Sequence, residues 1–317
     1  MNREKFKRKM EKSKKGFIPV MLTPFKNNGD IDYDILSQLT EMYIEAGAVG
    51  LFANCLSSEM YELSDNEKLQ AVKHIVKVAS GAVPVVATGT FGGPITEQAD
   101  FVKRINDTGL DAVIVITSLL ADQAEPDSIF NERVFELFNL TGNIQLGFYE
   151  CPVPYKRILS PCQLVEFVAT GRVVYHKDTC LDIDIIKGKL KAGEVNPNFG
   201  LYDAYMGHAV KSLQAGSAGL SCIQGNFFPE LIVWLCANYA NTALETEIDL
   251  VQQFLIDNMH VMHNVYPIIA KYWLTKRGLK ISTTTRRNVG IFSPVIRKHI
   301  DDLHINYTSL ANRIAIL

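Results

Sequence analysis

Short, uninterrupted apolar runs alternate with longer amphipathic stretches from Phe17 onward, and this alternation limits the fold more than any other feature. The runs are Phe17–Leu22, Val49–Ala53, Val83–Ala87, Ala112–Ile116, Ile144–Tyr149, Val173–Lys177, Phe199–Leu201 and Ala218–Cys222. Nearly all lack the polar alternation of a half-exposed strand, so they read as strands covered on both faces, as in a parallel sheet. Helical signals fill the gaps. Ile35, Leu36, Leu39, Met42, Tyr43 and Ala46 mark one helical face closed by Gly47, and Ser64 with Glu67 forms a capping box that opens a helix through about Val78. A further helix is expected from about Thr96 to Asp107.

Strand–helix repeats of this length fit a (β/α)8 TIM barrel or a doubly wound sheet. A dinucleotide-binding sheet would carry GxGxxG after its first strand, whereas this turn reads Thr23-Pro24-Phe25-Lys26, which favours the barrel. The alternation ends near Asn241, after which Ile248, Val251, Phe254, Leu255 and Met262 continue as helix. The expected organisation is a basic N-terminal extension (1–15), a barrel (16–240) and a C-terminal helical extension (241–317) packed on it.

Composition narrows the function. The 317 residues carry a net charge of -2, which gives no electrostatic footprint for nucleic acid. The charge is uneven, because residues 1–15 alone contribute about +6 and read as a solvated extension. Leu231–Cys236 is a six-residue apolar run, and no apolar run approaches the length of a membrane span. Six scattered cysteines with no CxxC pair, and no signal-type segment, point to reduced thiols in a cytoplasmic protein. His260 and His263 form an HxxH without the glutamate or third ligand of a zinc site, so no metal is expected.

A barrel of this kind places its chemistry at the C-terminal ends of its strands. That filter selects Asn54–Glu59 after the second run, Tyr149-Glu150 after the fifth, Lys177-Asp178-Thr179 after the sixth and Tyr202-Asp203 after the seventh. Lys177 ends an apolar strand. In a desolvated pocket its amine is a nucleophile for a ketone; at an open rim it is a structural partner of Asp178 or Glu150. Tyr149 is either a proton-transfer group or a core tyrosine with a satisfied hydroxyl. Ser57 and Ser58 are placed to donate to a carboxylate.

The order of these motifs resembles the dihydrodipicolinate synthase / N-acetylneuraminate lyase superfamily of class I Schiff-base aldolases. The likeness rests on Met21-Leu22-Thr23-Pro24-Phe25, Cys55-Leu56-Ser57-Ser58-Glu59, Tyr149-Glu150-Cys151-Pro152, Tyr175-His176-Lys177-Asp178-Thr179 and the stretch from Ala215 through Asn226 to Pro229. It implies that Lys177 forms an imine with pyruvate or another 2-keto acid, and that Tyr149 transfers protons. It further implies that Ser57 and Ser58, with backbone amides of their loop, hold the keto-acid carboxylate. No cofactor is then needed, and a homo-oligomer (tetramer or dimer) is expected.

The departures from the family pattern are specific. Leu56 and Ser57 replace paired threonines, so one relay hydroxyl is absent, and Ser118-Leu119-Leu120 replaces the Pro-Tyr-Tyr that supplies an inter-subunit tyrosine. Val153–Arg157 lacks the Arg-Thr-Gly of true dihydrodipicolinate synthases, leaving Lys156 or Arg157 as substitutes from nearby. Thr179 leans toward the sugar-acid branches. Glu150, in place of the usual asparagine, is expected to add a carboxylate beside the imine, with Asp203 as a further substrate contact. The alternative reading is a catalytically weak barrel that binds a keto acid as a sensor or interaction protein.

Overall fold

The structure, a computed structural model, describes residues 15–316, so of the basic stretch 1–15 only Lys15 lies within it. Eight strands form one sheet: β1 (Gly16–Phe17), β2 (Leu51–Ala53), β3 (Val85–Thr88), β4 (Ala112–Ile116), β5 (Leu146–Tyr149), β6 (Val173–Asp178), β7 (Gly200–Asp203) and β8 (Gly219–Leu220). Each pairs in parallel with its neighbours, and β8 returns to β1. A parallel bridge from Val20 to Phe52 joins the first segment to β2, which completes a (β/α)8 barrel. Closure depends on Gly219, where a Cβ would lie 1.7 Å from the Gly16 carbonyl oxygen.

Seven helices follow β1 to β7 in turn: α1 (Tyr33–Glu45), α2 (Asp65–Ala79), α3 (Ile95–Asn106), α4 (Asp127–Leu140), α5 (Pro161–Ala169), α6 (Ile183–Gly193) and α7 (Ala209–Ala215). The capping box acts as expected, with the Ser64 hydroxyl accepting from Glu67 N–H at 3.3 Å and Glu67 accepting from Ser64 N–H at 2.9 Å. Two runs pair over less of their length than their apolar pattern suggests. Pro19 and Pro84 lack the N–H that a ladder needs, so β1 is two residues long and β3 begins at Val85.

The strands separate two apolar layers. In β4, Ile114 and Ile116 face the barrel interior while Val113 and Val115 face the helices, and all four are fully buried. This two-sided burial is why the runs show no polar alternation. In β6 one extra residue breaks the register: Leu146 pairs with Val173, but Gly147 pairs with Tyr175. Val174 and Tyr175 thus both belong to the inner layer, and the parity of the strand reverses beyond them. The bulge turns Lys177 inward and sends His176 and Asp178 outward.

After β8, α8 (Pro229–Asn238) completes the ring, followed by α9 (Glu245–Asp257), α10 (Met259–His263), α11 (Ile268–Lys276) and α12 (Pro294–Arg313). The helix expected to run through Met262 breaks at Asn258. Trp273 and Tyr307 pack on Phe228 with centroids 5.2 and 4.9 Å away, so these helices share one apolar cluster with the outer layer of the barrel. A buried ion pair, Lys271 Nζ to Glu59 Oε1 at 2.8 Å, ties α11 to the loop after β2. No helix among the described residues is long and apolar enough to cross a membrane.

Candidate active site

Lys177 is 5 % exposed, and its Nζ lies 4.2 Å from the centroid of the Tyr149 ring and 5.8 Å from that of Phe52. Beneath it the barrel is filled by aromatic rings, with Tyr175 stacked on Tyr202 at 5.0 Å and Phe52 edge-on to Tyr149 at 5.7 Å. Among the described residues no carboxylate lies within ion-pairing distance of Lys177. Burial therefore dominates and lowers its pKa, opposed only by the thiols of Cys55, Cys151 and Cys222. The rim alternative, a lysine paired with Asp178 or Glu150, is not the arrangement found.

Tyr149 is also buried, and burial pushes its phenol well above the usual range, with the Cys151 thiol acting in the same direction. Ser57, in the 3₁₀ turn Leu56–Ser58 after β2, reaches a partner from the C-terminal helices. Tyr266 hydrogen-bonds Ser57 and also accepts from the Asn226 side-chain amide at 2.6 Å, while that amide donates to the Val20 carbonyl at 2.9 Å. The Asn226 oxygen in turn accepts from the Tyr43 hydroxyl. Burial raises the Tyr266 pKa, whereas Ser57 and Asn226 lower it, the sign of donors to its oxygen, so Tyr266 orients the Ser57 hydroxyl. Replacing Tyr266 with Phe is expected to raise the half-saturating keto-acid concentration by about 5- to 20-fold, the worth of one good hydrogen bond. Equal half-saturation in a steady-state titration of both proteins would show that Tyr266 does not orient Ser57.

Four expected site residues point elsewhere. The Ser58 hydroxyl donates to the Met21 carbonyl at 2.6 Å and accepts from Cys55 N–H at 3.1 Å, so it pins the loop to the segment after β1 and has no proton left for a carboxylate. Glu150, one residue beyond the inward Tyr149, faces outward and is fully buried; it stands behind the strand, not beside the amine. Thr179 donates its hydroxyl to the Glu150 carbonyl at 2.6 Å and its N–H to Glu150 Oε2 at 3.1 Å. Asp203 follows the inward Tyr202 and also faces outward, accepting from Tyr205 N–H at 2.8 Å with His208 Nε2 2.9 Å away.

Behind β5 and β6, Glu150, His176, Asp178 and Lys189 form a fully buried charge cluster. Lys189 Nζ lies 2.5 Å from Glu150 and 2.6 Å from Asp178; His176 Nε2 lies 3.3 and 3.5 Å from the same carboxylates. Burial opposes charge on His176, Lys189 and Asp178 alike. The opposite charges outweigh it, raising His176 and Lys189 and holding Asp178 far below the usual carboxylate range. Glu150, His176 and Asp178 are close enough together to hold a metal ion, but the Lys189 ammonium already bridges the two carboxylates.

At the rim, Arg157 is saturated by Asp127 (2.7 Å), the carbonyls of Asp122 and Glu125 (2.8 and 3.0 Å) and the Tyr155 hydroxyl (3.1 Å). Lys156 donates to the Thr179 carbonyl at 2.9 Å. Arg157 is therefore not a free cation for a second substrate. A cavity of about 560 Å³ opens among the loops after β3, β4 and β5, bounded by Gly92, Gln98, Leu119, Arg133 and Tyr155, and includes neither Lys177 nor Tyr149.

A model of the dihydrodipicolinate synthetase family matches residues 13–303. The chain is similar to a 4-hydroxy-tetrahydrodipicolinate synthase of Hyphomonas neptunium, 26% identical over 264 residues (83% of this chain, 88% of that one). It is 25% identical over 303 residues to the enzyme of the same name from Rhizobium meliloti (90% and 96%). Among solved structures, a dihydrodipicolinate synthase from Thermotoga maritima superposes with a TM-score of 0.82 at 20% identity (93% and 99% covered). A prophage protein of the same family from E. coli K12, solved in complex with pyruvate, gives a TM-score of 0.81 at 18% identity (93% and 98% covered). Likeness at this identity establishes the shared barrel.

Proposed function

The chain belongs to the dihydrodipicolinate synthetase family, whose members are lyases, and we propose that it is a Schiff-base lyase or aldolase acting on pyruvate or a 2-keto sugar acid. One observation carries the reading: a buried amine at the C-terminal end of β6, with no carboxylate partner among the described residues, held against a tyrosine ring. Burial favours the neutral amine, which attacks the keto carbon. Loss of water then gives an imine, whose protonated form withdraws electrons from the neighbouring carbon and stabilises the carbanion made or consumed there. In this reading Tyr149 carries protons at the carbinolamine and the enamine. Ser57, set by Tyr266, holds the carboxylate together with the amides that open its turn, which have no acceptor inside it.

The second substrate is not read as that of a true dihydrodipicolinate synthase, because Arg157 is consumed at the rim and Glu150 lies behind the sheet. A homo-oligomer belongs to this reading as well. A second reading, a keto-acid-binding barrel with little turnover, is favoured by Leu56, which puts a side chain without a hydroxyl where the relay threonine stands in the family.

The test is reductive trapping. Incubation with pyruvate or a panel of 2-keto sugar acids, followed by borohydride and peptide mass spectrometry, is expected to place the adduct on Lys177. Absence of any adduct overturns the imine. An adduct without turnover of any substrate supports the binding reading instead.

A further inference from the structure

A second substrate reaches Lys177 and Tyr149 from the C-terminal face of the barrel, through the loops that follow the strands. Five of those loops each send an apolar side chain onto the inner layer: Leu56 after β2, Phe91 after β3, Leu119 after β4, Val153 after β5 and Ile223 after β8. All five are partly exposed, and they pack against the same buried cluster that contains Tyr149. They therefore form the mouth above the amine. Polar side chains at this level are committed elsewhere. The Thr179 hydroxyl donates to the Glu150 carbonyl at 2.6 Å, the Tyr61 hydroxyl donates to the Val153 carbonyl at 3.0 Å, and Glu150 and Asp203 are fully buried behind the strands. Asn54 Oδ1 and Thr88 Oγ1, at the ends of β2 and β3, lack a hydrogen-bond partner among the described residues. Both residues are buried beneath the loops, so an entering chain meets the apolar ring first. Lys156 is exposed at the rim and is the group that would draw a carboxylated aldehyde instead.

We propose that the second substrate is an aldehyde with an apolar substituent, aliphatic or aromatic, joined to or released from pyruvate. The inference rests on the imine reading given above and narrows its substrate class. An apolar substituent gains by covering the ring, whereas a hydroxylated chain would leave its hydroxyls without partners there. The pyruvate imine loses a methyl proton and becomes an enamine. Its terminal carbon attacks the aldehyde carbon, and the new carbon–carbon bond forms as the electron pair of the carbonyl moves to oxygen. That oxygen takes up one proton, equal to the one lost from the methyl group. Water then releases a 4-hydroxy-2-oxo acid and the free Lys177 amine, with no net oxidation or reduction; the reverse sequence is a cleavage.

The test measures kcat/KM for aldehydes at saturating pyruvate, with the 4-hydroxy-2-oxo acid detected by mass spectrometry. From propanal through butanal to pentanal the value is expected to rise about 4-fold per methylene, the worth of covering one such group. Propanal should exceed glyceraldehyde, its hydroxylated counterpart, by about 10-fold or more, and butanal should exceed succinic semialdehyde. Leu119→Asn and Ile223→Asn are expected to flatten the methylene series while borohydride trapping of pyruvate at Lys177 stays at the wild-type level. Preference for glyceraldehyde or succinic semialdehyde over its alkyl counterpart overturns the proposal. So does a flat series in the wild-type protein, an unchanged slope in both variants, or trapping of pyruvate without turnover of any aldehyde. Each of these leaves the imine itself standing. No adduct in the wild-type protein overturns the imine reading instead.

Discussion

Lys177→Met is expected to form no reducible adduct with pyruvate, to lose turnover by at least about 10⁴-fold and yet to melt no lower than the wild type. The first two effects follow if the covalent route depends on this amine, since accelerations of this class span many orders of magnitude. The third follows from burial. An amine whose pKa is lowered by folding binds a proton less readily folded than unfolded, so the unfolded chain gains protons between the folded pKa and the ordinary lysine value. Stability from this group therefore rises with pH through that window, and at neutral pH the buried lysine is a cost that methionine removes. The same shift sets the pH dependence of imine formation. Its rate should climb as Lys177 loses its proton, with a midpoint below the ordinary lysine range, and that rising limb should vanish with the side chain. Calorimetry and stopped-flow trapping across pH check both parts; a Lys177→Met protein that melts far lower would assign the residue a structural role.

Lys189→Met should have the largest effect on stability. It leaves Glu150 and Asp178 fully buried with only His176 to balance them, and breaking a buried pair in this way costs about 3–5 kcal/mol. Asp178 is held low by His176 and Lys189, so the stability it adds is present above the ordinary aspartate range and is lost as the pH falls through its depressed pKa. In Lys189→Met that depression weakens, and the deficit should shrink on acidification as the stranded carboxylates take up protons. Urea unfolding at neutral pH and near pH 4.5 measures this; an unchanged midpoint at neutral pH would mean that the cluster contributes nothing net. The cluster sits directly behind the inward Tyr149 and Lys177, so it also holds the two strand ends that aim those residues.

The fold was legible because its cause is local. Runs such as Ala112–Ile116, apolar at every position, have few homes other than a sheet covered on both faces, and Ser64 with Glu67 marks a helix start by hydrogen bonds that span three residues. The strand-end rule brought Lys177 and Tyr149 into view by the same logic. It also brought in Glu150 and Asp203, each one residue past an inward tyrosine, and there it misled. In a strand whose neighbours are apolar on both sides, composition carries no record of which face is inside.

Tyr266 gave a weaker signal still. It fell in the helical extension, where no spacing rule applies.

By itself, then, the sequence determined that this chain closes a barrel and that an amine stands at the end of its sixth strand. Both follow from side-chain pattern and local hydrogen bonding. Tertiary structure decided which way each residue at a strand end points, and with which partner. The bulge at Val174 reverses the parity that turns Lys177 in and Asp178 out, and Lys189 draws Glu150 to the outer face. The chain beyond α10 folds back to lay Tyr266 against Ser57. Those choices are made by packing between residues far apart in the chain, which no local pattern encodes.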